Sequence, residues 1–176
     1  MADIERRASV VEVRADGRRL EGYAAVFEQR ATIADFTETV ARGAFADTLR
    51  SGRDVLALVD HDPQRLLGRT KNGTLRLAED QRGLAFSIDV PDTQLGRDTL
   101  AMAERGDLGG ASFGFRVPKG GDGWEGRNRT LIRVDLIDVS AVIAFAAYPQ
   151  TSVTARSDGE PRLPLALARR FTEIFR

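Results

Sequence analysis

The sequence contains no cysteine and only one histidine among 176 residues. The first absence removes disulfides, thiolate nucleophiles and cysteine-ligated zinc. The second leaves any zinc site dependent on carboxylates, an uncommon donor set. Charge of neither sign dominates: 26 Lys and Arg face 26 Asp and Glu, so no global field argues for nucleic acid or an anionic membrane as a partner. No apolar run approaches the roughly 18–20 residues of a membrane span, and Met1 to Arg7 lacks the apolar stretch of a signal peptide. A soluble, cytoplasmic protein is the expectation. The length suits one domain with a sizeable core, since domains commonly run to about 100–150 residues.

Glycine and asparagine punctuate the chain. Residues 8–15 and 19–27 read as two strands about an Asp16-Gly17 turn, and residues 28–42, which lack clean periodicity, as a loop. A short helix over 44–49 stops at Gly52, and a strand over 54–60 runs into His61. The stretches 74–77 and 84–90 alternate as half-buried strands and form a second hairpin. Asp92 or Thr93 caps a helix over 94–105 that presents Leu95, Thr99, Met102 and Ala103 on one face and stops at Gly106. Further strands are expected at 110–118, 130–137 and 139–147, with a polar turn over 120–129. The total is about seven strands and a few short helices without regular strand–helix alternation. That pattern favours a mostly antiparallel α+β sheet or barrel over a doubly wound parallel fold. Beyond Pro161, Leu167, Phe171, Ile174 and Phe175 fall at helical spacing, which predicts a separate amphipathic C-terminal helix. The expected division is a domain over 1–157 followed by a linker and helix over 158–176.

Two places carry chemistry. His61 follows the apolar run Leu56-Ala57-Leu58-Val59, and an imidazole with an ordinary pKa near ~6.5 is the side chain suited to take a hydroxyl proton at neutral pH. Ser112 lies in Gly109-Gly110-Ala111-Ser112-Phe113-Gly114-Phe115, where glycines permit close backbone approach and leave N–H groups for a developing oxyanion. A base and a hydroxyl nucleophile of this kind point to a serine peptidase. The acid that would orient the imidazole could be Asp138, Asp135, Asp62 or Asp60; Asp138 lies among apolar residues, whereas Asp60 and Asp62 read as solvated strand-end residues. Arg69 could anchor a carboxylate or support the oxyanion region, although a surface position suits it better. No Walker-type loop, helical H-E-x-x-H or basic and aromatic array is present.

Taken jointly, Gly22-Tyr23-Ala24-Ala25-Val26-Phe27, Gly43-Ala44-Phe45, His61-Asp62-Pro63, Leu67-Gly68-Arg69-Thr70, Gly73-Thr74-Leu75, Gly106-Asp107, Ala111-Ser112-Phe113-Gly114-Phe115 and Ala147-Tyr148-Pro149 give the chain a clear likeness. It resembles the tailed-bacteriophage prohead proteases over residues 20–157. The resemblance implies a serine endopeptidase related in fold to the herpesvirus maturation protease, a β-barrel surrounded by helices. It implies Ser112 as nucleophile and His61 as base, with Asp138 in the place where the family usually has glutamate. No cofactor, nucleic acid or membrane is implied. The implied substrate is the scaffolding or N-terminal region of the major capsid protein, and the protease itself, inside the immature shell in the bacterial host cytoplasm. A homodimer is implied by analogy. The rival expectation from another class is a non-catalytic capsid scaffold or assembly chaperone of the same fold.

Overall fold

The computed structural model describes residues 3–9 and 13–143. The predicted C-terminal helix, the Ala147-Tyr148-Pro149 segment and the end of the 139–147 strand lie outside these residues.

Among the described residues thirteen strands, rather than about seven, build three sheets, with two α-helices attached. The strands are β1 (Glu5–Ser9), β2 (Arg14–Asp16), β3 (Arg19–Val26), β4 (Ala31–Ile33), β5 (Phe36–Val40), β6 (Leu56–Val59), β7 (Asp62–Arg69), β8 (Leu75–Glu79), β9 (Gly83–Asp89), β10 (Gly110–Arg116), β11 (Asp122–Glu125), β12 (Asn128–Leu131) and β13 (Asp135–Val142). The helices are α1 (Ala46–Ser51) and α2 (Gln94–Arg105). One sheet runs β1-β10-β13-β6-β7, a second β11-β12-β5-β4 and a third β2-β3-β9-β8. Pairing is antiparallel except for β12 with β5 and β13 with β6. The molecule is mostly β with few helices, as expected for its α+β class. Its described strands form three open sheets, and no closed barrel is found among them.

The Asp16-Gly17 hairpin forms, but its first strand is only Arg14–Asp16. The preceding residues enter a different sheet as β1, so the single strand expected over 8–15 is two. The expected loop over 28–42 contains β4 and β5. The strands expected over 130–137 and 139–147 are divided elsewhere: β12 ends at Leu131, and Asp135 to Val142 is one continuous strand. The β8–β9 hairpin and α2 form where their patterns place them. The Thr93 hydroxyl caps α2 by accepting the Gly96 N–H at 3.1 Å.

The core gathers on one face of β10. Phe113 and Phe115 stack at 5.0 Å, Phe45 meets Phe113 edge-on at 5.4 Å, and Phe27 closes the row. Such pairs contribute roughly 0.5–1.5 kcal/mol each beyond their area. Because side chains alternate along a strand, an aromatic anchor at 113 and 115 fixes what 112 and 114 present on the opposite face.

Candidate active site

That opposite face holds the polar constellation. In the β10–β13 pair Ser112 lies opposite Ser140, and Gly114 opposite Asp138. Opposed residues share a face in an antiparallel ladder, so two hydroxyls, a glycine and a carboxylate meet there. The histidine arrives from β6 and β7. Val59 pairs with Asp62, leaving Asp60 and His61 as a two-residue hairpin loop with φ of 53° and 57°. Positive φ at both positions is the pattern of a type I′ turn, which glycine and asparagine favour; Asp and His also enter this region more readily than most residues. The conformation is held from outside. Asp60 N–H donates to Ala141 O at 3.0 Å, and its carboxylate accepts from Ile143 N–H at 2.9 Å and from Arg65 at 2.8 Å. His61 N–H donates to Ser140 Oγ at 3.2 Å.

The result is a continuous polar chain. His61 Nε2 lies 2.5 Å from Ser112 Oγ, and His61 Nδ1 lies 2.5 Å from Asp138 Oδ1. Ser140 Oγ donates to the same carboxylate oxygen at 2.9 Å. An Nδ1–H donating to Asp138 leaves Nε2 as acceptor for the serine proton, the tautomer that base catalysis requires. The chain is buried: side-chain exposure is 10% at His61 and 7% at Asp138. In such surroundings an unpaired polar group is costly and a paired one is strongly directed. Gly114 makes the room. A Cβ at that position would overlap Asp138 Oδ2, so only glycine lets the carboxylate lie flat against β10.

The structure therefore brings His61, Ser112 and Asp138 together and sends the other candidate acids elsewhere. Asp135 pairs with Arg53 at 3.1 Å, Asp62 accepts the Gln64 N–H, and Asp60 serves the turn. Arg69 is bound by Asp54, away from the polar chain. Ser140 was not singled out from sequence, although the spacing Asp138-Val139-Ser140 places it on the same strand face as the acid. No group of residues able to hold a metal ion is found among the described residues.

A buried hydroxyl, imidazole and carboxylate in this order can drive acyl transfer, and the sequence comparisons bear on that chemistry. A family model described as caudovirus prohead serine protease matches residues 3–162. The chain belongs to this family. No curated protein and no solved structure matches it. Membership implies a serine peptidase of capsid maturation, and a prohead protease acts on capsid proteins. No helix among the described residues is long and apolar enough to cross a membrane.

Proposed function

We propose that this prohead protease is a serine endopeptidase with Ser112 as nucleophile, His61 as general base and acid, and Asp138 as the carboxylate that orients the imidazole. The observation that carries the reading is the pair of 2.5 Å contacts from the two ring nitrogens of His61, one to each partner. Ser112 Oγ attacks the peptide carbonyl carbon while its proton passes to His61 Nε2. The C–N bond then breaks, the departing amine takes that proton, and water hydrolyses the ester to release the acid and restore Ser112. Asp138 stays ionised and stabilises the transient imidazolium.

Its substrate is the scaffolding or N-terminal region of the major capsid protein, and the chain also cuts itself. It works within the procapsid in the host cell, as a protease domain over 1–157 carrying a tail over 158–176, and pairs as a homodimer. A barrel relationship to the herpesvirus maturation protease belongs to the same proposal. Co-expression with the major capsid protein, followed by intact mass, tests it. The capsid subunit is expected to shorten with the unmodified chain and to keep full length with Ser112→Ala. Shortening that survives Ser112→Ala removes Ser112 from the mechanism.

A further inference from the structure

The open edge of the strand carrying Ser112 is covered by the chain's own N-terminal strand. β1 pairs with β10 from Glu5 opposite Phe115 to Ser9 opposite Ala111, placing Ala8 opposite Ser112. Ser112 is 1% exposed, so a peptide arriving from solvent finds no room at its hydroxyl. The contact involves the reacting atom itself. Ser112 Oγ donates to the carbonyl oxygen of the Arg7–Ala8 peptide bond at 2.8 Å. A hydroxyl has one proton, so donation to Arg7 competes with donation to His61 Nε2.

On the other face of β1 the Arg7 side chain enters a buried carboxylate site. Its Nε and Nη2 donate to the two oxygens of Glu38 at 2.6 and 2.9 Å, and its guanidinium lies 5.4 Å from the centre of the Phe115 ring. Glu38 is 3% exposed and also accepts from Arg129 at 3.1 Å. One residue thus offers its carbonyl to Ser112 and its basic side chain to Glu38.

We propose that β1 is an internal stand-in for the substrate: the edge of β10 accepts an extended peptide in its place, and Glu38 selects a basic side chain on the residue whose carbonyl meets Ser112. The inference rests on the reading of Ser112 and His61 given above. An added strand is held by main-chain hydrogen bonds along β10, which carry no sequence preference, and selectivity comes from side-chain sites beside them. When Arg7 leaves, Glu38 loses a bidentate partner. A substrate guanidinium or ammonium restores that pairing, whereas a neutral side chain leaves a buried carboxylate oxygen short of a donor.

Two peptidyl diphenyl phosphonates, one with a guanidinium side chain and one with the isosteric neutral urea of citrulline, test this on the full-length chain, with labelling of Ser112 followed by intact mass. The basic probe is expected to label roughly 10- to 100-fold faster, the equivalent of one charge-assisted hydrogen bond. Glu38→Gln is expected to bring the two rates together. Arg7→Gln, which frees Glu38 and loosens β1, is expected to raise labelling by the basic probe at least about tenfold, with faster amide exchange over residues 5–9. The wild-type ratio stands without either variant folding. Equal labelling by the two probes overturns the proposal, as does an Arg7→Gln chain whose residues 5–9 exchange faster while its labelling is unchanged. Capsid cleavage that persists in Ser112→Ala overturns instead the reading beneath it; Ser112-dependent cleavage without basic preference overturns this inference alone.

Discussion

Two largely buried polar clusters lie on either side of the β1–β10 ribbon, the second with Glu5 and Asp122 at its half-exposed rim, and they are built from different groups. On one side Ser112, His61, Asp138 and Ser140 share a chain of hydrogen bonds made of hydroxyls, an imidazole and one carboxylate. On the other, Arg7 and Arg129 are forked between Glu5, Glu38 and Asp122. In the second cluster every charge meets an opposite charge. The Arg129 guanidinium, hydrogen-bonded first of all to Glu5, has its pKa raised further, and Glu5 is held below the ordinary carboxylate range by the same bond. Protons there are fixed. In the first cluster the serine proton has two acceptors within reach, His61 Nε2 and the Arg7 carbonyl. A saturated ionic network holds strands in place, whereas a hydroxyl–imidazole chain can move a proton.

The largest effect is expected from closing the space in which Asp138 lies. Gly114→Ala sets a methyl group against Asp138 Oδ2. The carboxylate must then turn away from His61 Nδ1. Loss of the orienting bond is expected to lower the cleavage rate by about 10³–10⁴-fold, the scale for losing the correct tautomer. Overpacking is expected to cost about 1–3 kcal/mol of stability. Capsid cleavage and urea unfolding, measured on the same sample, separate the two. Near-normal cleavage breaks the claim that the relay depends on this glycine.

Arg129→Ala makes the complementary break. It removes the cation shared by Glu5, Glu38 and Asp122, leaving Arg7 to pair with the first two, and is expected to destabilise the fold by up to about 3–5 kcal/mol, the cost of removing one partner from a buried pair such as Arg129–Glu38. The pH dependence sharpens the test. Glu5 is depressed in the folded state, so its stabilisation is present above the unfolded carboxylate value and is lost as pH falls through the folded one. Arg129→Ala is expected to flatten that part of the acid branch in urea unfolding curves. An unchanged branch means the cluster does not anchor β1 as described.

These clusters differed in how far they could be read from sequence. His61 and Ser112 were legible because one is the single histidine and the other stands between glycines on an apolar strand. Asp138 was legible through its apolar flanks and the family resemblance. Ser140 was not, because the strand over 135–142 was expected to break near Asp138, which hides that 138 and 140 share a face. The ionic cluster was missed for another reason. In Phe36-Thr37-Glu38-Thr39-Val40 the inward positions include a glutamate, so the apolar alternation that marks a strand is interrupted where the core is ionic. Its partners Arg7 and Arg129 are 31 and 91 residues away, and nothing local announces them.

Ser140→Ala is expected to have a smaller effect than either break. The His61 N–H loses its hydroxyl acceptor in a strained turn, and Asp138 loses a donor, while the His61–Asp138 contact remains. An unsatisfied buried donor costs about 1–3 kcal/mol. Stability is expected to fall within that range, and cleavage to slow by roughly tenfold as the turn loosens. Ser140→Thr keeps the hydroxyl and is expected to recover most of the rate. Failure of threonine to recover what alanine loses argues that shape rather than the hydroxyl matters at this position.

The smallest effect is expected away from both clusters, at a half-buried carboxylate that has a backbone donor and, among the described residues, no ion pair within 4.0 Å. Glu79 accepts the Phe45 N–H at 2.9 Å, and burial raises its pKa above the ordinary value. Native Glu79 therefore binds its proton more tightly than the unfolded chain does. Its contribution to stability is fully present below the unfolded pKa and is lost as pH rises through the folded one. Glu79→Gln keeps an oxygen for Phe45 and removes the charge. At neutral pH the variant is expected to be slightly more stable than the wild type, and the advantage should vanish below the carboxylate range. Paired urea titrations across about pH 3 to 8, which brackets the ordinary carboxylate values of ~4, read the difference directly. A variant less stable at neutral pH would show that ionised Glu79 is compensated as fully as Glu38, and that burial of charge here differs from the saturated cluster only in degree.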